Sequence, residues 1–306
     1  MVTTPPFISF IALMMLFSSQ MFAQEGLKDL KKKEDNLLAN LIQVTKNIYS
    51  GGSPDNHEAF VQLKELGVKT IISVDGAKPL NELADEMSIR YVHIPIGYDG
   101  ISDIQKATLS SVLVQCPPPY YFHCHHGKHR GPAAVASLLV LNNKSTLRDA
   151  LDFMKLAGTS PHYKGLWNDV RNTIDQKDLP SPEPLQPVSK VSSMVESMTQ
   201  IDITFEHLKA LEKNNWQVTE TTPDITATHQ ALLLLENYKE LPRELGGENL
   251  TTNNATSSLF NKHLKQSTGL SIELESALRN NKLSQATSLM KKLRSSCIDC
   301  HSDFRD

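Results

Sequence analysis

His123-Cys124-His125-His126-Gly127-Lys128-His129-Arg130-Gly131 reads HCxxGxxR, and it lies between two clear structural signals. Before it, Tyr120-Tyr121-Phe122 follows the breaker Pro117-Pro118-Pro119 and reads as a strand. Behind it, Pro132 suits the first turn of a helix whose body, Ala133 to Leu141, is apolar enough to be buried. Strand, loop and helix N-terminus form an anion cradle, in which backbone N–H groups point inward and the helix dipole adds partial positive charge. Gly127 lets the loop fold tightly, and the planar fork of Arg130 can grip two phosphate oxygens. The same field favours a thiolate at Cys124, the form that attacks phosphorus to give a phosphocysteine that water hydrolyses.

Working upstream, strands and helices alternate. Val68 to Val74 reads as a buried strand between helical spacings at Ala59–Leu66 and Leu80–Met87. Tyr91 to Ile96 reads as a further strand, and Ile101 to Val114 as a helix with Ser102 at its N-cap. Two more helices are expected over Thr146–Leu156 and Lys164–Asp175. The charged lead-in, Gln24 to Asn47, reads as helical, with Lys31-Lys32-Lys33 on a solvated face. This order predicts an α/β layer with a mainly parallel sheet and flanking helices.

The loop matches the signature of the cysteine-dependent protein tyrosine phosphatase superfamily. Gly127-Lys128-His129-Arg130 most resembles the atypical plant and fungal dual-specificity branch, and Ile48-Tyr49-Ser50-Gly51-Gly52-Ser53-Pro54 resembles the start of that fold, so the likeness covers roughly residues 45–176. The resemblance implies that Cys124 is the nucleophile, that Arg130 binds phosphate, and that His125, His126, Gly127, Lys128, His129 and Arg130 form the cradle. Lys128 and His129 would bring extra positive charge for a multiply phosphorylated substrate. The family's general acid is an Asp on an upstream loop, which points to Asp99 of Tyr98-Asp99-Gly100, with Asp103 second; loop and helix-cap roles are the alternative for both. The family has Ser or Thr after the Arg, helping the thiolate to leave. Here that residue is Gly131, which implies a slower second step, or a domain that binds phosphate without hydrolysis. The four histidines read as loop packing rather than a metal set, since no further ligands return to them.

At 306 residues the chain has room for about two domains. The boundary falls at Asp178 to Pro187, where alternating prolines predict an extended, semi-rigid spacer. Helical segments follow over Val188–Lys213, Pro223–Glu240, Ala255–Asn280 and Leu283 to the end, which predicts an all-α four-helix bundle. Its last helix carries Cys297-Ile298-Asp299-Cys300-His301, the spacing for covalent c-type haem, with two thiols for thioethers and a His for the iron. This end resembles the cytochrome c-prime and c556 family over about 188–306. The resemblance implies haem c attached at Cys297 and Cys300 and His301 as proximal ligand. Met198, with Met194 beside it, is the candidate distal ligand; an open distal site suited to a diatomic gas, and plain core packing of both, are the alternatives.

Phe7 to Phe17 is apolar and leads into Ser18-Ser19-Gln20-Met21-Phe22-Ala23, so a signal peptide over 1–23 is expected, with an uncleaved anchor the alternative. That sets out residues 24–177 as the phosphatase-like domain, 178–187 as the linker and 188–306 as the haem domain, in a periplasmic or secreted bacterial protein. Four cysteines are accounted for by the loop, the haem pair and Cys116, with no disulfide framework; Cys116 reads as a buried spectator, with a redox bond to Cys124 the alternative. A net charge of −3 gives no reason to expect nucleic acid. The expected function is a phosphatase acting on a phosphomonoester or phosphoanhydride, carried by a small molecule or a phosphoprotein, with haem as its cofactor and no other metal. The haem would serve a redox partner or sense a gas, and a homodimer follows by analogy. The rival reading is an electron-transfer or gas-binding cytochrome whose front domain only binds phosphorylated ligands.

Overall fold

The structure, a computed structural model, describes residues 27, 30–32, 37–175, 178–218, 225–244 and 255–304. The expected signal peptide lies outside the described residues, and no described helix is long and apolar enough to cross a membrane. Among the described residues the α/β part runs β1 (Lys31–Lys32), β2 (Ile42–Thr45), β3 (Ile48–Gly51), α1 (His57–Glu65), β4 (Thr70–Ser73), α2 (Asn81–Glu86), β5 (Arg90–His93), α3 (Asp103–Gln115), β6 (Tyr120–His123), α4 (Arg130–Leu141), α5 (Leu147–Ala157) and α6 (Lys164–Asn172).

The sheet order is β1-β2-β3-β6-β4-β5, with β3, β6, β4 and β5 parallel and β1 and β2 antiparallel at one edge. β4 and β6 are buried along their whole length, as central parallel strands covered on both faces must be. Side chains alternate between those faces. Ile72, Val92, Tyr120 and Phe122 join a core with α4, α5 and α6, while Ile71, Tyr91 and Tyr121 pack with α1 residues Phe60 and Leu63. α4 is buried on all sides. Ser102 caps α3 with a capping box completed by Gln105.

The lead-in corrects the sequence reading. Where it is described, it is strand rather than helix, and it extends the sheet as β1 and β2. Leu38, Leu41 and Ile42 are buried there. Asn40 has φ of +54°, a left-handed conformation that ends any right-handed helix at that point.

Gly51, His123, Ser73 and His93 align in register at the carboxyl ends of the four parallel strands. The loops that leave these residues therefore converge at one sheet edge, the place where open α/β sheets bind ligands.

The Pro-rich segment is extended but laid along the domain. Glu183 N–H donates to Thr108 Oγ1 at 3.0 Å, His93 N–H to Gln186 O at 2.8 Å, and Ser189 N–H to His93 Nδ1 at 3.1 Å. The segment thus covers the exposed edge of β5, a task for which a chain poor in N–H donors is well suited.

Beyond it lie α7 (Ser193–Lys213), α8 (Ala227–Glu244), α9 (Ala255–Arg279) and α10 (Leu283–Phe304). α7 packs on α8, α8 on α9 and α9 on α10. They share an apolar cluster that includes Ile201, Leu208, Leu234, Leu274, Leu289 and Leu293. Trp216 Nε1–H donates to Thr287 Oγ1 at 3.2 Å, so the residues just past α7 meet the start of α10. The two helices are therefore antiparallel, and the first half of α7 lies at the Cys297–His301 end.

Candidate active site on the sheet edge

Cys124, only 2% exposed, follows β6 directly. Three carbonyls of the next turn are tied to the scaffold behind the loop. Ser53 N–H donates to His125 O at 3.0 Å, Asn40 Nδ2–H to Gly127 O at 2.8 Å, and Thr159 Oγ1–H to Lys128 O at 2.8 Å. In a planar trans peptide the N–H points opposite to the carbonyl, so the N–H groups of residues 126, 128 and 129 turn to the other side. Gly127 holds φ of +66° against the backbone of Gly51 and Gly52. Three N–H groups of the loop thus turn to one side, where the first turn of α4 adds its dipole.

Arg130, 9% exposed, begins α4. Its guanidinium meets Asp75 Oδ1 at 2.9 Å, while its Nε is buried without a hydrogen-bond partner. A buried guanidinium donor left unpaired is costly unless an anion meets it. Burial alone would push the Asp75 carboxyl up; Arg130, His123, His125 and the Gly76 N–H outweigh that and hold it below its usual value. Asp75 is thus a fixed counter-charge that orients Arg130. The sequence reading passed over it because Val74-Asp75-Gly76 reads as an ordinary turn after a strand. Asn40, Ser53 and Thr159 were also passed over, since their role is defined only by which carbonyls they reach.

Tyr98 stacks 4.5 Å from the Arg130 guanidinium and packs at 4.3 Å on Tyr163. His129 joins that aromatic wall at 4.8 Å from Tyr163, and its Nδ1 accepts from Ser160 N–H at 3.2 Å. Its ring packs against Tyr163. Lys128 and His126 are exposed and His125 is half-buried. Asp99 is exposed, and its carboxylate folds over Gly97 on the loop that carries Tyr98, so it flanks the site. Asp103 instead pairs with Lys106 at 3.5 Å in the first turn of α3. At Gly131 an added Cβ would lie 3.4 Å from Cys124 N and 3.7 Å from Cys124 Sγ, so the position has room for a small side chain beside the thiol.

Beneath the thiol, Tyr91 Oη lies 2.6 Å from His123 Nε2. Burial, more than any neighbour, pushes His123 down to about 4. An unfolded His titrates near 6.5, so only the unfolded chain takes up this proton between about pH 6.5 and 4. Stability from this group is intact above pH 6.5 and is lost as pH falls through that window, by about 3 kcal/mol at most. Urea midpoints at pH 7.5 and 4.5 should show the drop, and His123→Asn should shrink it; equal slopes for the two proteins would refute it.

At the other end, Cys297 and Cys300 are half-buried thiols three residues apart on α10. Tyr238 Oη is 3.7 Å from Cys297 Sγ. Burial pushes Cys297 up and, with Cys297 as neighbour, pushes Cys300 up to about 11. Met194 and Met198 are partly buried against the helical core. Cys116 is buried at the end of α3.

No family model and no curated protein matches the chain. In structure it is similar to Pseudomonas aeruginosa TpbA, at 19% identity over 49% of this chain and 92% of that one, with a TM-score of 0.40. It is also similar to a putative phosphatase from Shewanella putrefaciens CN-32, at 17% identity over 45% and 89%, with a TM-score of 0.39. The core catalytic domain of the PP-IP phosphatase SIW14 from S. cerevisiae aligns at 19% identity over 49% and 89%, with a TM-score of 0.35. The chain is thus a six-stranded, mainly parallel α/β sheet with flanking helices, followed by a helical C-terminal region.

Proposed function

We propose that this protein is an exported bacterial phosphatase that hydrolyses a phosphomonoester or phosphoanhydride through a phosphocysteine and carries a covalent c-type haem. The observation that carries the first half is the loop around Cys124. Its carbonyls are tied outward and the buried Nε of Arg130 is left for an anion.

The thiolate of Cys124 attacks phosphorus from below, forming the S–P bond as the bond to the leaving oxygen breaks. Inward N–H groups and Arg130 hold the equatorial oxygens through that step. Asp99 is the candidate acid that protonates the leaving oxygen. As its carboxylate it then takes a proton from the water that attacks the phosphocysteine, returning thiolate and inorganic phosphate. With Gly131 offering no hydroxyl to the departing thiolate, the second step is expected to be the slower one.

The haem half rests on the donor set. Two unbridged thiols, Cys297 and Cys300, stand with His301 within about one turn of α10, the donor types that covalent c-type haem needs. Cys297 and Cys300 would hold the haem and His301 its iron, and Met198 on α7 is the candidate further ligand. When bound, the group supplies one-electron redox chemistry or gas binding, with a redox partner or diatomic gas to match.

Gly131 favours one second reading, a cytochrome whose front domain binds phosphorylated ligands without turning them over. An acid quench of the full haem-loaded chain with an aryl phosphate, followed by mass spectrometry, separates the two. A phosphoryl group on the Cys124 peptide supports the enzyme; bound but intact substrate, with no labelled peptide, supports the rival. Colour retained through acid–acetone extraction supports covalent haem, and its loss would overturn that half.

A further inference from the structure

The first half of α7 does more than lead into the helical region. Val195 packs onto Gly76 so closely that a Cβ on that glycine would land on Val195 Cγ1, and it would lie 3.4 Å from Thr199 Oγ1. Gly76 is the residue after Asp75, which holds Arg130. α7 therefore rests on the turn at the rim of the phosphate site. Val195, Thr199, Asp202 and Glu206 are spaced 4, 3 and 4 residues apart, which places them on one stripe of the helix. The opposite stripe, Ile201, Thr204, Leu208 and Leu211, is buried. Having met Gly76 with its first two members, the outer stripe brings its two acids toward His126 of the phosphate loop. The electrostatics agree: burial and His125 push His126 down, while Glu206 and Asp202 pull it up. Glu206 also holds Lys209 at 2.6 Å, one turn further on the same stripe.

We propose that Asp202 and Glu206 form an acidic wall of the phosphate site, selecting phosphoesters carried on neutral or basic groups and disfavouring polyanionic ones. This rests on the phosphate-site reading above and narrows its substrate class. It also reverses the sequence expectation that Lys128 and His129 equip the loop for a multiply phosphorylated substrate. His129 is packed into the aromatic wall, Arg130 is already countered by Asp75, and the acids of α7 stand against what Lys128 adds. A fixed carboxylate at the rim interacts with the whole charge of the incoming ligand, so the logarithm of its effect grows in proportion to ligand charge and weakens with salt.

The test uses the full haem-loaded chain and two phosphotyrosyl peptides of one sequence, flanked by Lys or by Glu. Wild type should show the lower KM for the Lys-flanked peptide. In the Asp202→Asn/Glu206→Gln double variant, the KM for the Glu-flanked peptide should fall about tenfold at low salt, against about twofold or less for the other, with kcat moving little. In 0.5 M salt the two proteins should converge. Equal shifts for both peptides, or no shift, would overturn the wall. If wild type binds the peptides by calorimetry but hydrolyses neither, the enzyme reading fails while the same comparison of Kd values still decides the wall. If it neither binds nor hydrolyses them, the phosphate-site reading falls and takes this inference with it.

Discussion

Asp75→Ala is expected to cost the folded chain about 3–5 kcal/mol and to make its stability depend on added phosphate. The pair it breaks is buried, with the Asp75 side chain 7% and the Arg130 side chain 11% exposed, and the two atoms 2.9 Å apart. Removing one partner leaves a guanidinium out of water with no counter-charge, which is far more costly than removing both. The ring of Tyr98 at 4.5 Å offers a cation–π contact, a weaker compensation than a carboxylate. Inorganic phosphate would then be the nearest available anion. A ligand at a hundred times its Kd adds about 2.7 kcal/mol, so saturating phosphate should restore much of the lost melting temperature in Asp75→Ala. It should add less to wild type, where phosphate must share Arg130 with Asp75. Activity should fall about a hundredfold, because Arg130 is no longer aimed. Asp75→Asn keeps the shape and an acceptor oxygen, and should lose less on both counts. A melting temperature for Asp75→Ala equal to that of wild type, without phosphate, would show that the pair does not hold Arg130 in the fold.

That result turns on a residue whose role could not be read from the chain, and the reason is geometric. The loop from Cys124 to Arg130 could be singled out as a candidate cradle because its cysteine, glycine and arginine lie within one short run whose spacing carries the signal. Asp75 and Arg130 are 55 positions apart and meet only because β4 and β6 are neighbours in register at Ser73 and His123. Asn40 is 87 residues from the carbonyl it holds, and Thr159 is 31 from its own. Periodicity found β4, β6 and the helices around them because both faces of the sheet are covered. The lead-in, read as a charged helix, instead extends the sheet, with Leu38 and Leu41 buried beside the antiparallel edge. The linker was legible as extended, but its docking on β5 depends on bonds with His93 that no composition rule contains. The same limit applies to α7. Its apolar stripe could be read, while the outer stripe has meaning only once Gly76 lies against it.

Gly127→Ala is expected to destroy the site, and two other glycines supply the control. Gly67, Gly127 and Gly158 all hold positive φ, at +77°, +66° and +87°. An alanine at any of them pays about 1–2 kcal/mol for the left-handed backbone. At Gly67 and Gly158 that is the whole cost, because an added Cβ meets nothing within 4 Å. At Gly127 the Cβ would land on the carbonyl carbon of Gly51 and reach within 2.5 Å of Gly51 O and Gly52 N. These are backbone atoms at the end of a central strand, and Gly52 is further fixed by its N–H bond to Ala39 O at 2.6 Å and by Tyr121 Oη donating to its carbonyl. They cannot swing aside as a side chain could. The loop must therefore lift away, adding about 1–3 kcal/mol of overpacking and breaking the Asn40 and Thr159 tethers that turn its N–H groups inward. Since a displacement of about 1 Å costs on the order of a hundredfold in rate, phosphate release should fall by at least that much in Gly127→Ala and stay near wild type in Gly158→Ala. Urea unfolding of the three single variants separates strain from collision. Were Gly127→Ala to lose no more stability than Gly158→Ala and keep its turnover, the loop would not be the rigid cradle on which the phosphate reading depends.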